Sequence, residues 1–250
     1  MKSITKHIPN MLTCVSLAFG FNATIMAING SCYEAMIAIF FAAVFDFADG
    51  LAARLLKAYS PLGKELDSLA DMVSFGVAPG VMLFSIVEEL LHFSSWNDSW
   101  ICFILMLLSA SAIAIFSALR LAKFNIDTRQ TTSFLGLPVP AHAIFWSALL
   151  VTTTGQGFGG VLPFSQFITA IPHETLFIIL SVLAIATSLL LVSEIPMFSL
   201  KLSSLGWKDA KRQYILIISA IILIVLFGTI GISATILLYV LLSVMSKKTT

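Results

Sequence analysis

The sequence predicts an all-α polytopic membrane protein of about eight transmembrane helices with both termini cytoplasmic. Three observations carry that prediction. The mean hydropathy is +0.99, with 58% hydrophobic and only 11% charged residues in 250, far below the charge of a soluble domain. Apolar windows of spanning or near-spanning length recur along the chain. All 14 Lys and Arg residues fall on one side of the resulting thread, as the positive-inside rule requires of cytoplasmic segments.

The windows run over 8–28, 33–56, 65–92, 99–120, 138–155, 174–193, 213–229 and 231–246. The first follows Lys2 and Lys6. It lacks an Ala-x-Ala cleavage site and more spans follow, so it reads as a retained helix rather than a signal peptide. The second ends at Arg54 and Lys57, and the third opens after Lys64. The fourth closes on Arg120 and Lys123, with Arg129 just beyond. Residues 155–173, with four glycines, Pro163 and Pro172, read as a loop or re-entrant segment. The last two windows meet at Gly228-Thr229-Ile230-Gly231 and form either two short spans or a hairpin. Lys201, Lys208, Lys211, Arg212, Lys247 and Lys248 complete the basic side. The opposite loops carry Glu88, Glu89 and Asp98. An even number of crossings preserves this segregation.

Composition also excludes functions. The chain leaves no room for a large soluble domain, and a net charge of +1 gives no nucleic-acid signal. Cys14, Cys32 and Cys102 lack metal or redox spacing and read as small buried residues. His7, His92, His142 and His173 show no ligand spacing and read as non-catalytic.

Against this background, Asp46, Asp49, Asp67 and Asp71 stand out. An ionised carboxylate in hydrocarbon is costly and marks a functional site. Four together require either protonation or neutralising cations. Asp46, Asp49, Gly50 and Ala53 share one helical face, and Asp67 and Asp71 share another. Two antiparallel helices so arranged form an all-oxygen cage suited to Mg²⁺, Mn²⁺ or Ca²⁺, with room for two ions. All four lie within roughly 20 Å of the cytoplasmic turn at Tyr59-Ser60-Pro61. The predicted site is a pocket entered from the cytosol, in the inner half of the bilayer.

The full pattern is Asp46-x2-Asp49-Gly50-x2-Ala53-Arg54-x8-Gly63-x3-Asp67-x3-Asp71. It resembles the signature of the CDP-alcohol phosphotransferases at all eight defining positions. The resemblance implies that the four aspartates hold two divalent ions, Mg²⁺ or Mn²⁺, against the diphosphate of a CDP-linked lipid. It also implies that Asp71 is the general base. Phosphoryl-type transfer needs those effects: neutralised oxygens, a stabilised leaving group and an oriented hydroxyl. Gly50, Ala53 and Gly63 leave room for a nucleotide or a neighbouring helix. Arg54 either pairs with phosphate or snorkels at the helix end.

Three further segments resemble the membrane-embedded phosphatidylserine synthases: Pro9-Asn10-Met11-Leu12-Thr13, the run from Leu66 to Pro79, and Leu119–Asn125 with Phe134–Pro140. The resemblance implies transfer from CDP-diacylglycerol to L-serine in an inner (cell) membrane, with the active site facing the cytoplasm, and a homodimer. It implies a core over 1–193 with about six spans, followed by a pair of helices over 194–250. Asn10 and Thr13 are candidates for the cytidine, or ordinary helix caps. Arg120 is the leading candidate for the serine carboxylate, as a planar bidentate cation, or else a topological anchor. Lys123 stands where such enzymes usually carry Arg, a departure that weakens a carboxylate-recognising fork. Ser74 with its neighbours Phe75 and Gly76, and Asn125, complete the candidate acceptor site. A phosphorylated acceptor such as glycerol 3-phosphate or inositol phosphate would demand a denser basic pocket. A cation- or proton-coupled transporter would place its carboxylates near the midplane and carry paired repeats.

Overall fold

A computed structural model describes residues 7–126, 134–162, 164–198 and 211–246. Lys2, Lys6, Arg129, Lys201, Lys208, Lys247 and Lys248, assigned above to the basic side, lie outside the described residues.

Helix α1 (Ile8–Ile28) begins with Pro9 in its first turn, where a missing N–H costs nothing. It ends at Asn29-Gly30, where Gly30 adopts a φ of 75° and lets the chain reverse. Helix α2 (Cys32–Leu55) returns antiparallel along α1. Their contact is lined by Ala23, Ala27, Ala35, Ala38 and Ala42, all buried, the small residues that let helices approach closely in lipid. The Ser16 hydroxyl donates to the Ala42 carbonyl at 2.9 Å. A tight turn with Lys57 at φ 51° leads into α3 (Pro61–Asp71), whose start is capped by Ser60. The Gly63 N–H donates to the Ser60 hydroxyl oxygen at 3.0 Å.

Helix α3 runs without a break through a π-helical turn (Met72–Val77) into α4 (Ala78–His92). The sequence windows gave no sign of this wider turn. It follows Asp71 directly, in a position typical of functional π-bulges. It packs between α1 and α5 (Trp100–Ile126). A Cβ on Gly20 of α1 would lie 2.5 Å from the Cα of Ser74. Gly20→Ala is therefore expected to force the helices apart and cost about 1–3 kcal/mol as overpacking. A thermal denaturation midpoint in detergent unchanged from wild type would contradict that contact.

Helix α6 (Val139–Thr153) is buried on nearly every side, with Val139, Ala143, Phe145, Trp146, Ala148, Leu150 and Val151 all inaccessible, as befits the central element. It contacts α2, α4 and the last helix, α10 (Thr229–Ser246). His142 is a buried anchor. The indole N–H of Trp146 lies 3.1 Å from both His142 Nε2 and Thr187 Oγ1, tying α6 to α8 (His173–Leu191). The expected loop over 155–173 contains a short helix, α7 (Phe164–Thr169). A two-residue ladder, β1 (Phe134–Leu135) with β2 (Pro196–Met197), pairs antiparallel beside α8. Helices α9 (Lys211–Phe227) and α10 (Thr229–Ser246) turn at Gly228, φ 67°. They dock through a bond from the Ser233 hydroxyl to the Phe145 carbonyl, 2.8 Å, and one from Tyr239 to the Phe198 carbonyl, 3.1 Å.

Among the described residues, five helical stretches are long and apolar enough to cross a membrane: Ile8–Ile28, Cys32–Leu55, Pro61–His92, Trp100–Ile126 and His173–Leu191. Val139–Thr153 and Thr229–Met245 are shorter apolar helices. Large apolar side chains such as Phe40, Phe47, Trp100, Ile101 and Leu108 point outward, the arrangement of a protein solvated by lipid. Two boundaries differ from the sequence reading by four residues or more. The third helix begins at Pro61 instead of 65, because its first turns are polar but well capped. The fourth continues to Ile126, so Lys123 and Asn125 sit within the helix that carries Arg120 and not past its end.

Candidate active site

Asp46 and Asp49 are three residues apart on α2, and Asp67 and Asp71 four apart on α3, so each pair projects from successive turns. Oxygen atoms of Asp46, Asp49 and Asp67 lie within 4.8 Å of one another. The Asp71 carboxylate is close enough to that of Asp46 for the two to interact electrostatically. Asp71 Oδ1 is buried with no hydrogen-bond partner. Such an oxygen asks for a ligand, and an all-carboxylate donor set is what hard divalent cations take. The residues present fit a metal centre.

The expected two-helix cage is a three-helix site. Helix α1 packs on both α2 and α3. From it the Thr13 hydroxyl donates to Asp49 Oδ2 and also lies 3.1 Å from the Pro9 carbonyl. Thr13 was assigned to the nucleotide by resemblance; its second role, holding Asp49, was invisible because i-to-j contacts between helices are not written in spacing.

Beside the carboxylates opens a cavity of about 530 Å³ lined by Pro9, Asn10, Thr13, Asp49, Gly50, Ala53, Ala58, Tyr59, Ser60, Pro61, Gly63, Lys64 and Asp67. Five of the six residues assigned to CDP-diacylglycerol thus share one wall system. Gly50 would direct a Cβ into open space, so the backbone there is bare to an incoming group. Gly63 is constrained by its neighbours: a Cβ would sit 2.9 Å from Asn10 Oδ1 and 3.0 Å from Ser60 Oγ. The sixth, Arg54, is exposed and donates from Nε to the Gly50 carbonyl at 3.0 Å. Lys64 and Tyr59, which the sequence places at the cytoplasmic turn, line the same cavity, a position their spacing does not mark.

The candidate acceptor residues are less concentrated. Helices α4 and α5 run antiparallel in a constant register, with Gly80 against Ile113 and Gly76 against Ser117. The Asn125 amide donates to Ser68 Oγ at 2.8 Å one step further along. That register sets Arg120 level with Val73, less than a turn from Asp71. Arg120 is buried, its guanidinium 5.5 Å from the Phe124 ring centroid. Asn125 also accepts a bond at its carbonyl from Lys64 Nζ, 3.1 Å. Lys123 is exposed and reaches the Val192 carbonyl at 3.5 Å, away from the carboxylates. Ser74 is fully buried against Gly20 and donates to the Ser16 carbonyl at 3.2 Å.

Residues 6–192 match the sequence profile of the CDP-alcohol phosphatidyltransferases. The chain is similar to the CDP-diacylglycerol–serine O-phosphatidyltransferase of Bacillus subtilis (strain 168), 37% identical over 134 residues, which cover 54% of this chain and 70% of that one. It is 33% identical over 199 residues to the protein of that name from Mycobacterium bovis, covering 76% of this chain and 60% of the relative. It is 31% identical over 155 residues to the archaetidylserine synthase of Methanothermobacter thermautotrophicus, 60% of this chain and 61% of that one. The chain therefore spans 60 to 70% of the length of these relatives. With the profile covering most of its length, and with Asp46, Asp49 and Asp67 brought together, this chain belongs to the CDP-alcohol phosphatidyltransferase family.

Proposed function

We propose that this protein transfers the phosphatidyl group of CDP-diacylglycerol to the hydroxyl of L-serine, giving phosphatidylserine and CMP. The observation that carries the reading is the aspartate cluster on one wall of a cavity bordered by the small residues Gly50, Ala53 and Gly63. The acceptor is supported by the printed names of the relatives.

In this reading Asp46, Asp49, Asp67 and Asp71 hold two ions, Mg²⁺ or Mn²⁺. The chemistry such ions supply when bound is neutralisation of the diphosphate and stabilisation of the departing CMP. The cavity receives the nucleotide, and the bare backbone at Gly50 lets it approach closely. Asp71 accepts the proton of the serine hydroxyl as its oxygen bonds to the lipid-linked phosphorus and the bond to CMP breaks. Arg120 holds the serine carboxylate, which fixes the hydroxyl near Asp71. Ser74, Lys123 and Asn125 have less support as direct contacts, since their polar groups are engaged elsewhere.

The deciding experiment supplies purified protein with CDP-diacylglycerol and, in turn, serine, glycerol 3-phosphate or inositol phosphate, and measures released CMP. Release that depends on serine is expected. Release only with a phosphorylated acceptor would keep the family and change the substrate, and no release with any would favour a transporter.

The proposed topology has eight crossings, with both termini and the carboxylates toward the cytoplasm of a cell (inner) membrane. Its support is that turns cluster at two opposite ends. Gln156 bonds to Gly30 and Tyr33, Ser95 to Glu174, and Leu162 to Leu226, while the β ladder joins the other set. Arg54, Lys57, Lys64, Arg120 and Lys123 all belong to that second set. A cysteine introduced at Lys57 should label only from the cytoplasmic face; labelling from outside would invert the arrangement. We read residues 1–193 as the catalytic core and 194–250 as an added helical pair, supported by the profile ending at 192. Family resemblance supports a homodimer.

A further inference from the structure

We propose that Tyr59 is the residue on which the nucleoside base of the donor stacks, a role that rests on the donor reading above. Tyr59 lies on the wall of the cavity that also contains Asp49 and Asp67, yet its side chain is 73% exposed. A tyrosine ring that no other part of the protein covers keeps its π face open to a partner. The turn around it is fixed from both sides. Lys57 takes the left-handed conformation, φ 51°, rare for a residue with a side chain. On the other side Ser60 caps α3 by accepting the Gly63 N–H at 3.0 Å. The ring is thus set at the rim by a short, braced turn.

The length of the cavity gives the orientation. From Asp49 to the end of α2 at Leu55 is six residues, about 9 Å along the axis. A diphosphate held at the carboxylates therefore carries its nucleoside toward the rim, where Tyr59, Ser60 and Asn10 stand. Among the described residues lining the cavity, Tyr59 offers the one aromatic face. The Asn10 carboxamide, whose Oδ1 occupies the space that a Cβ on Gly63 would need, is left to meet the edge of the base. The flat face of a pyrimidine pairs with an aromatic ring whatever its edge pattern, so Tyr59 supplies affinity and Asn10 the polar contact.

The test is direct binding of CMP by full-length protein in detergent with Mg²⁺ or Mn²⁺ present, which needs no turnover. Tyr59→Ala is expected to weaken CMP binding roughly five- to a hundredfold. Tyr59→Phe should bind as wild type does, and Tyr59→Trp as well or better. The serine KM should not move in any of the three. Tyr59 lies on an exposed turn, so these variants retain the fold. Wild-type affinity in Tyr59→Ala would overturn the proposal and leave the ring as an interfacial membrane anchor. Loss in Tyr59→Phe equal to that in Tyr59→Ala would overturn it too, by assigning the effect to the hydroxyl. Absence of CMP binding by the wild-type protein would defeat the donor reading itself, a result distinguishable from both.

Discussion

Replacing any one of Asp46, Asp49, Asp67 or Asp71 by asparagine is expected to lower kcat by at least about a hundred- to a thousandfold, the cost of losing one preorganised charge-stabilising group. Asparagine keeps the shape, removes the charge and replaces one ligand oxygen by an NH₂ donor. The effect on stability should run in the opposite direction. Without metal, the carboxylates of Asp46, Asp49 and Asp67, with oxygens within 4.8 Å of one another, and that of Asp71 on the same helix as Asp67 repel in a poorly screened site, so each substitution relieves repulsion and the metal-free variant should be no less stable than wild type. Added Mg²⁺ or Mn²⁺ should raise the melting midpoint of the wild-type protein, because a ligand that binds only the folded state stabilises it. That rise should shrink or vanish in the variants. Near-normal turnover in two or more of them, or turnover undiminished after exhaustive chelation, would contradict the metal-assisted mechanism. The pairing of lost activity with retained stability separates a functional cluster from a merely structural one.

What the sequence made legible follows from which interactions are local. The carboxylates of each pair are three or four residues apart, so helical periodicity alone puts them on one face, and hydropathy puts that face in a membrane. Gly50, Ala53 and Gly63 were readable for the same reason. Contacts between helices were not. The Thr13 bond to Asp49 joins residues 36 apart, and the braced position of Tyr59 depends on an unusual φ at Lys57 that no residue type announces. The π-helical turn after Asp71 was also hidden. Met72-Val73-Ser74-Phe75-Gly76-Val77 has the composition of any buried helix, and Pro79 following it marks a local irregularity without specifying which. Ser74 illustrates the cost. Spacing puts it one turn past Asp71, as an acceptor contact would need, but the fold turns it onto Gly20 of α1. The short final helices fell between length classes, and the windows alone left them as spans or hairpin.

The second large effect concerns the acceptor. Arg120→Lys is expected to raise the KM for serine by roughly ten- to a hundredfold, the equivalent of losing about 1.5–3 kcal/mol of bidentate, charge-assisted bonding. The KM for CDP-diacylglycerol should change little, because the cavity walls and the four carboxylates contain no part of Arg120. Lysine preserves the charge, so a residue needed only to mark the cytoplasmic side would tolerate the change completely. The buried position argues against that simpler role: Arg120 is 5% exposed, whereas the neighbouring cation Lys123 extends outward to the Val192 carbonyl. A guanidinium kept from water at the level of Val73 is less than a helical turn from Asp71 along the axis, and an ammonium cannot reproduce its planar, bidentate fork. Lys123→Arg serves as the internal control, since it adds a fork at a position facing away from the site and should leave both constants near wild type. If the serine KM of Arg120→Lys also stayed at the wild-type value, the acceptor would be held by other groups on the α3–α5 seam, with Asn125 and Lys64 the next pair to substitute.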